Sequence, residues 1–303
     1  MRRALQLAEN GEGRVSPNPM VGAVIIHDGK IIGEGFHAFY GGPHAEVNAI
    51  NSVKEENKPL LKEATMYVTL EPCSHYGKTP PCANLIVKSE IPEVIIGSLD
   101  PNPLVAGKGI QILKNAGIKV KYGILEKECK ELNRRFMKAH TSGKPWIILK
   151  WAQSADGFIA GYDEKENLKS IKFSSPLSTV WMHRERSKND AIIVGATTER
   201  IDHPLLNVRA WGGNSPVKYV AEGNFNCSDF VNNLAKEGVI GIMVEGGAKL
   251  LKSFIHEKLY DEIRVEISPV KLYKGLKAPS IPNDVILVKK EFYRDNYIEV
   301  FRR

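Results

Sequence analysis

Two periods of apolar residues take turns along this chain. Val21 to Ile26 and Lys30 to Phe36 are rich in β-branched residues and flank Asp28-Gly29, a tight-turn pair, so they predict a β-hairpin. A helix is expected to open at His44, because Val47, Ile50 and Val53 recur three apart. Thr65 to Leu70 reads as a strand, a helix carrying Leu85, Ile86 and Val87 starts near Cys82, and Glu93–Gly97 and Ile118–Gly123 add strands around a helix from Gly109 to Asn115. Leu125 to His140 reads as one closing helix, which makes the first half an α/β sandwich. Thr141-Ser142-Gly143-Lys144-Pro145 has the small, polar and proline residues of a joint, so domains are expected at 1–143 and 144–303. Beyond it, strands are expected at Trp146–Trp151, Ala191–Val194, Val217–Ala221, Ile240–Val244 and Glu262–Ile267. Helices at Pro176–Ser187, Ser228–Lys236 and Ala248–His256 fit between most of them, and Val285–Lys289 with Tyr297–Phe301 closes the sheet as a hairpin.

Composition narrows the class. A chain of 303 residues is long for one core, and 43% hydrophobic with 25% charged residues is ordinary for a globular protein. No apolar run reaches 18 residues, and Met1-Arg2-Arg3-Ala4-Leu5 leads straight into a helical pattern, so a cytoplasmic protein without a membrane partner is expected. Four cysteines are too few for a disulfide scaffold. The net charge of +7 suits anionic small molecules or nucleic acid, and no basic stripe interleaved with aromatics separates the two.

The chemistry is concentrated in His44-Ala45-Glu46, Glu71-Pro72-Cys73 and Pro81-Cys82. One imidazole and two thiolates make a three-ligand Zn2+ site whose fourth position is open to water, which the metal activates. Glu46 follows the histidine by two positions and is the candidate catalytic acid/base, as in zinc nucleobase deaminases. Both cysteines follow a proline, an arrangement that brings a thiolate and helix N-terminal amides to one point. A purely structural zinc would want a fourth protein ligand, and His75 is the nearby candidate. In the second half, Glu245-Gly246-Gly247 lies between a strand and a helix, where a phosphate can approach backbone amides, although a plain tight turn has the same pattern. Ser154-Ala155-Asp156-Gly157 reads either as a site loop at a strand end or as a hairpin turn.

Several segments together resemble the bifunctional riboflavin-biosynthesis deaminase/reductase family: Ser16-Pro17-Asn18-Pro19-Met20-Val21-Gly22, Gly35-Phe36-His37, Pro43-His44-Ala45-Glu46, the run from Val68 to Cys82, and Asp100-Pro101-Asn102-Pro103. Its most specific element is the eight-residue spacer between Cys73 and Cys82, where related deaminases carry Cys-x-x-Cys. The resemblance implies a cytidine-deaminase-like α/β/α sandwich followed by a dihydrofolate-reductase-like α/β domain. It implies zinc-dependent deamination of a pyrimidine ribosylamine phosphate, then NADPH-dependent reduction of its ribosyl group to ribityl. By similarity, Asn18, His37, Lys78, Asp100 and Asn102 line the deaminase pocket, with Lys78 and His37 suited to the phosphate.

In the second domain Lys150, Ser154, Asp156 and Gly157 match the opening motif, and Asp202, Pro204, Leu206, Val208 and Arg209 match a later loop. The resemblance assigns Arg186, Asp202, Leu206 and Arg209 to substrate, Arg186 and Arg209 as partners of its phosphate. It assigns Ala152, Ser154, Thr198, Asp202, Glu245, Gly246 and Gly247 to the cofactor, and it implies a homo-oligomer. Lys172 stands where the family carries tryptophan, His203 where it carries a second aspartate, and Asn207 where it carries threonine; the domain is also several tens of residues shorter than typical. Two further readings therefore stay open. One is an active deaminase with a structural reductase domain, the other a nucleic-acid-editing deaminase.

Overall fold

The computed structural model describes residues 1–74, 81–102 and 105–303, and the chain divides into two compact units, Met1–Gly143 and Lys144–Arg303. The first unit contains α1 (Arg2–Glu9), β1 (Gly22–His27), β2 (Lys30–Phe36), α2 (Ala45–Asn51), a 3-10 helix (Glu55–Glu63), β3 (Thr65–Leu70), α3 (Cys82–Lys88), β4 (Glu93–Ser98), α4 (Lys108–Asn115), β5 (Lys119–Tyr122), α5 (Glu126–Leu132) and α6 (Arg134–Ser142). The sheet order is β2-β1-β3-β4-β5, with β1 antiparallel to both neighbours and β3, β4 and β5 parallel. Asp28 and Gly29 both take positive φ, 47° and 73°, the geometry that a two-residue hairpin turn requires.

Alternation along β1 sends Ala23 and Ile25 into one core with Ala45 and Ala49 of α2, Ala83 and Ile86 of α3, and Leu113 of α4, while Val24 packs on Ala4 and Leu7 of α1. Helices thus cover both faces, the expected sandwich. The single closing helix does not form. Asn133, at φ −106° and ψ 23°, separates α5 from α6 because its amide pairs with Met20, accepting from the backbone N–H at 2.8 Å and donating to the carbonyl at 2.8 Å.

The second unit contains β6 (Trp146–Gln153), β7 (Phe158–Tyr162), β8 (Leu168–Lys169), α7 (Pro176–Ser187), β9 (Ala191–Gly195), α8 (Ala196–Asp202), β10 (Val217–Ala221), α9 (Cys227–Lys236), β11 (Gly241–Glu245), α10 (Ala248–His256), β12 (Glu262–Ile267), β13 (Leu276–Lys277), β14 (Ile286–Tyr293) and β15 (Asn296–Arg302). Its main sheet runs β10-β9-β11-β6-β12-β15-β14, parallel through β12 and closed by the expected antiparallel hairpin. A small β13-β7-β8 sheet and α8 were not anticipated. Pro176 sits in the first turn of α7, whose start Ser175 caps by accepting the Ser178 N–H at 3.2 Å.

Strand parity divides the chemistry of this sheet. Ile147, Leu149 and Trp151 of β6 enter an apolar core with Leu234 of α9 and Phe254 of α10. The opposite face carries a smaller cluster of Ile148, Ile192, Val194, Leu206 and Met243, and beside it buried charges: Lys150, Glu245, Glu262, Arg264 and Glu266. Arg264 bridges Glu185 of α7 and Glu262, and Arg302 of β15 also bonds Glu262. Ion pairs offset the burial of Glu245, Glu262 and Arg264, and Ser174 and Asn296 bond Glu266.

Candidate active sites

The ends of β3 and the starts of α2 and α3 place the three ligand candidates. His44 is the N-cap residue of α2, in extended conformation, and Cys82 is the first residue of α3. His44 Nδ1 lies 3.5 Å from Cys73 Sγ and 3.3 Å from Cys82 Sγ, and the three atoms fall within 4.8 Å of one another. Ligand atoms on a tetrahedral zinc with ordinary Zn–S and Zn–N bonds stand about 3.6 Å apart, so these residues fit the ion. Cys73 Sγ also accepts the Cys82 backbone N–H at 3.3 Å. Hydrogen bonds from the Cys82 side chain, His44 and that amide outweigh burial and lower the Cys73 thiol, in the direction of the thiolate that binds a metal. Cys82, beside that negative charge and buried, is pushed upward.

Glu46 is buried in the first turn of α2, beside Cys82. Burial first, then the Cys73 charge, push its carboxyl up to about 7. A divalent cation held by the thiolates opposes that rise.

His37 departs from the expectation that it meets a phosphate. It is only 2% exposed, its Nδ1–H donates to the Pro43 carbonyl at 3.0 Å, and Nε2 accepts from Asn18 Nδ2 at 3.1 Å. Burial holds it below the ordinary imidazole range, so it stays neutral. Its ring meets His44 edge-on at 5.5 Å, so one imidazole both touches the candidate ligand and bonds Asn18. Asp100 and Asn102 stand half-buried, the Asn102 N–H donating to Asp100 Oδ1 at 2.8 Å. Lys78 and His75 lie outside the described residues. Glu71, quoted above only as part of a motif, turns out to be buried and to accept hydrogen bonds from the loop that carries Asp100. A charged residue ending a buried strand was the available signal.

In the second unit the C-terminal ends of the adjacent parallel strands β9 and β11 lead into α8 and α10. Gly246 and Gly247 take φ of 74° and 61°, and a Cβ on either would sit 3.2 Å or 3.1 Å from Thr198. The turn is therefore a backbone cradle beside two helix starts, a fit for a dinucleotide phosphate. Ala152 is half-buried at the end of β6.

Four of the residues assigned to ligands have partners within the chain. Arg186 does not stand open to a phosphate: its Nε and Nη2 each donate to Glu245 at 2.9 Å, a bidentate pair, and Nη1 reaches the Asn207 carbonyl at 3.4 Å. Glu245 is correspondingly a partner of arginine more than of cofactor. Burial pushes its carboxyl up, but Arg186 wins and holds it below the ordinary value. Leu206, 3% exposed, gives its side chain to the core. The Ser154 hydroxyl serves the turn, donating to Asp156 Oδ1 at 2.6 Å and accepting the Phe158 N–H at 2.9 Å. Asp156 also accepts the Leu272 and Tyr273 N–H groups, and these bonds, Ser154 first, bring it down to about 2. Asp202 and Arg209, which flank Leu206 in sequence, are both exposed. Lys150, buried on β6, is held below the ordinary lysine range by burial, against the pull of Glu245 and Glu266. It was quoted above as part of a motif but given no role.

Comparison with known proteins decides the family. Residues 1–98 match the cytidine and deoxycytidylate deaminase zinc-binding region, and residues 145–227 and 220–284 match the RibD C-terminal domain. Riboflavin biosynthesis protein RibD of Aquifex aeolicus is 36% identical over 91% of this chain and 88% of its own length, and that of Bacillus amyloliquefaciens is 36% identical over 93% and 86%. The chain belongs to the RibD family. A Thermotoga maritima diaminohydroxyphosphoribosylaminopyrimidine deaminase/5-amino-6-(5-phosphoribosylamino)uracil reductase superposes with a TM-score of 0.90 at 34% identity, over 100% of this chain and 97% of the other. RibD of Acinetobacter baumannii gives 0.89 at 31% identity. As a RibD protein this is a riboflavin-biosynthesis enzyme with a zinc-dependent deaminase half and an NADPH-dependent reductase half, and the bifunctional reading prevails over a degenerate reductase or a nucleic-acid editor.

Proposed function

We propose that the first unit deaminates a 2,5-diamino-6-(ribosylamino)-4(3H)-pyrimidinone 5'-phosphate and that the second reduces the product's ribosyl group to ribityl. The observation that carries this reading is the meeting of His44, Cys73 and Cys82 with the unligated, buried Glu46 beside them. Zinc held by those three residues supplies Lewis acidity that makes a water nucleophilic near neutral pH. Glu46 takes one proton from the attacking water to the ring nitrogen and then the second, from the added hydroxyl, to the departing amine, so that the carbonyl forms and ammonia leaves. Asn18, oriented by neutral His37, reads the ring edge together with Asp100 and Asn102. Lys78 is assigned to the phosphate.

For reduction, NADPH supplies the hydride, and the protein has only to bind and orient. The Gly246-Gly247 cradle, with Thr198, Ala152 and the Ser154 turn, is assigned to the dinucleotide. Lys150, buried and opposite Glu245 in the sheet register, is assigned the donation of the proton that must accompany the hydride. Asp202, the Leu206 backbone and Arg209 border the substrate, and Arg186 acts through Glu245. We further propose a cytoplasmic homo-oligomer with no nucleic-acid or membrane partner. In support, the apolar side chains of Ile286, Leu287 and Phe292 are exposed on the edge strand β14, and no helix among the described residues is long and apolar enough to cross a membrane.

The test is product mass. Incubating the purified chain with the diaminopyrimidine phosphate should replace one amine by oxygen, and adding NADPH should add two hydrogens. Absence of the first change removes the deaminase reading, and absence of the second removes the reductase reading.

A further inference from the structure

Glu71 follows the last residue of β3 and precedes the ligand Cys73 by two positions, yet its carboxylate turns toward the backbone of another loop. It is 4% exposed. Oε2 accepts the N–H groups of Asp100 at 3.3 Å and Gly107 at 3.0 Å, and Oε1 those of Gly109 at 3.0 Å and Ile110 at 3.4 Å. An ionised carboxylate has about four acceptor positions, so those of Glu71 are filled by the two flanks of one segment. That segment runs from the Asp100–Asn102 turn into α4, whose N-terminal end favours a negative charge. The approach is close: a Cβ on Gly109 would lie 2.0 Å from the Pro72 carbonyl oxygen, so glycine is what lets α4 start against the peptide that leads to Cys73. One side chain therefore ties the metal-ligand loop to the Asp100–Asn102 turn.

We propose that Glu71 is a positioning residue of the deaminase site, locking the turn that reads the pyrimidine in register with the loop that holds the metal. This rests on the assignment of Asp100 and Asn102 to substrate. Glutamine has nearly the same shape but turns an NH2 toward two N–H donors, leaving them unsatisfied in a buried place. The metal ligands themselves are untouched by that change.

The experiment compares Glu71→Gln, Asp100→Ala and the double variant as full chains, with zinc content and NADPH-dependent reduction of the deaminated substrate as checks on the fold. Glu71→Gln should raise the deaminase KM about tenfold, with zinc near the wild-type stoichiometry and kcat within about threefold. In the Asp100→Ala background the same substitution should add less than about twofold, because its effect passes through Asp100. A wild-type KM in Glu71→Gln, or effects that multiply in the double variant, overturns the proposal. If Glu71→Gln is not recovered folded, Glu71→Asp, one methylene shorter, is judged by the same outcomes. Wild-type protein that fails to deaminate the pyrimidine phosphate overturns the substrate reading instead, a result distinct from a variant that matches an active wild type.

Discussion

Replacing Glu245 by glutamine isolates the buried ion pair that organises the reductase half. The side chains of Arg186 and Glu245 are 11% and 9% exposed and meet at 2.9 Å, so solvent screens the pair little. Removing one charge of a buried pair costs about 3–5 kcal/mol, and glutamine, which keeps the shape and one acceptor, belongs at the lower end, about 3 kcal/mol. For a unit of this size each kcal/mol moves the melting temperature by about 2–4 °C, so a fall of about 6–12 °C is expected near neutral pH. All four tryptophans, Trp146, Trp151, Trp181 and Trp211, lie in the second unit, so tryptophan fluorescence follows its unfolding alone. The carboxyl is held below its ordinary value of 4.5 in the folded chain, so its stabilisation is present above that value and lost as pH falls through the folded one. The gap between wild type and Glu245→Gln should therefore stay level from about pH 7 to pH 5 and close in more acidic buffer. A gap below about 2 °C near neutrality, or one that fails to narrow in acid, refutes the assignment of Glu245 as the charged partner of Arg186.

Glu46→Gln should keep its zinc while ammonia release falls by about 100-fold or more; near-normal turnover would remove Glu46 from the proton shuttle. Cys82→Ser should surrender zinc to a chelator that wild type resists, and unchanged metal stoichiometry would break the assigned ligand set. Asn133→Ala should cost the first unit about 2 kcal/mol, since it leaves the Met20 N–H and carbonyl unpaired, and a urea midpoint followed by circular dichroism checks this. Asp202→Ala should depress NADPH oxidation with deaminated substrate; unaffected turnover would clear this exposed helix end of any part in binding.

The deaminase half was legible because its chemistry is written in contiguous residues whose types have few other uses together. Two Pro-Cys elements and a His-x-Glu triplet predict a metal and a free carboxylate, and the structure brings all four side chains to one place. Element types followed from periodicity for the same reason, since most runs had either a 2-residue or a 3.6-residue repeat. What escaped was set by tertiary hydrogen bonds. Nothing local in Leu125–His140 announces that Asn133 will pair with Met20 and split the helix, and nothing near Glu71 announces that its partners begin at Asp100. His37 looked like a candidate cation until the Pro43 carbonyl and Asn18 claimed both ring nitrogens.

The reductase half resisted for a further physical reason: its polar groups act from strands that meet only in the folded sheet. Along β12, Glu262, Arg264 and Glu266 alternate with Ile263, Val265 and Ile267, a pattern that by itself assigns the charged face to water. All three charged residues are buried, at 0%, 5% and 0% exposure. The helix α7 covers that face and brings Glu185 to Arg264, while Ser174 and Asn296 bond Glu266. Alternation reports that two faces differ in chemistry, and it carries no information on what will be laid over the polar one. Whether a charge there is solvated or paired depends on a helix some eighty positions away in the chain, and the same helix brings Arg186 to the buried Glu245 at the end of β11.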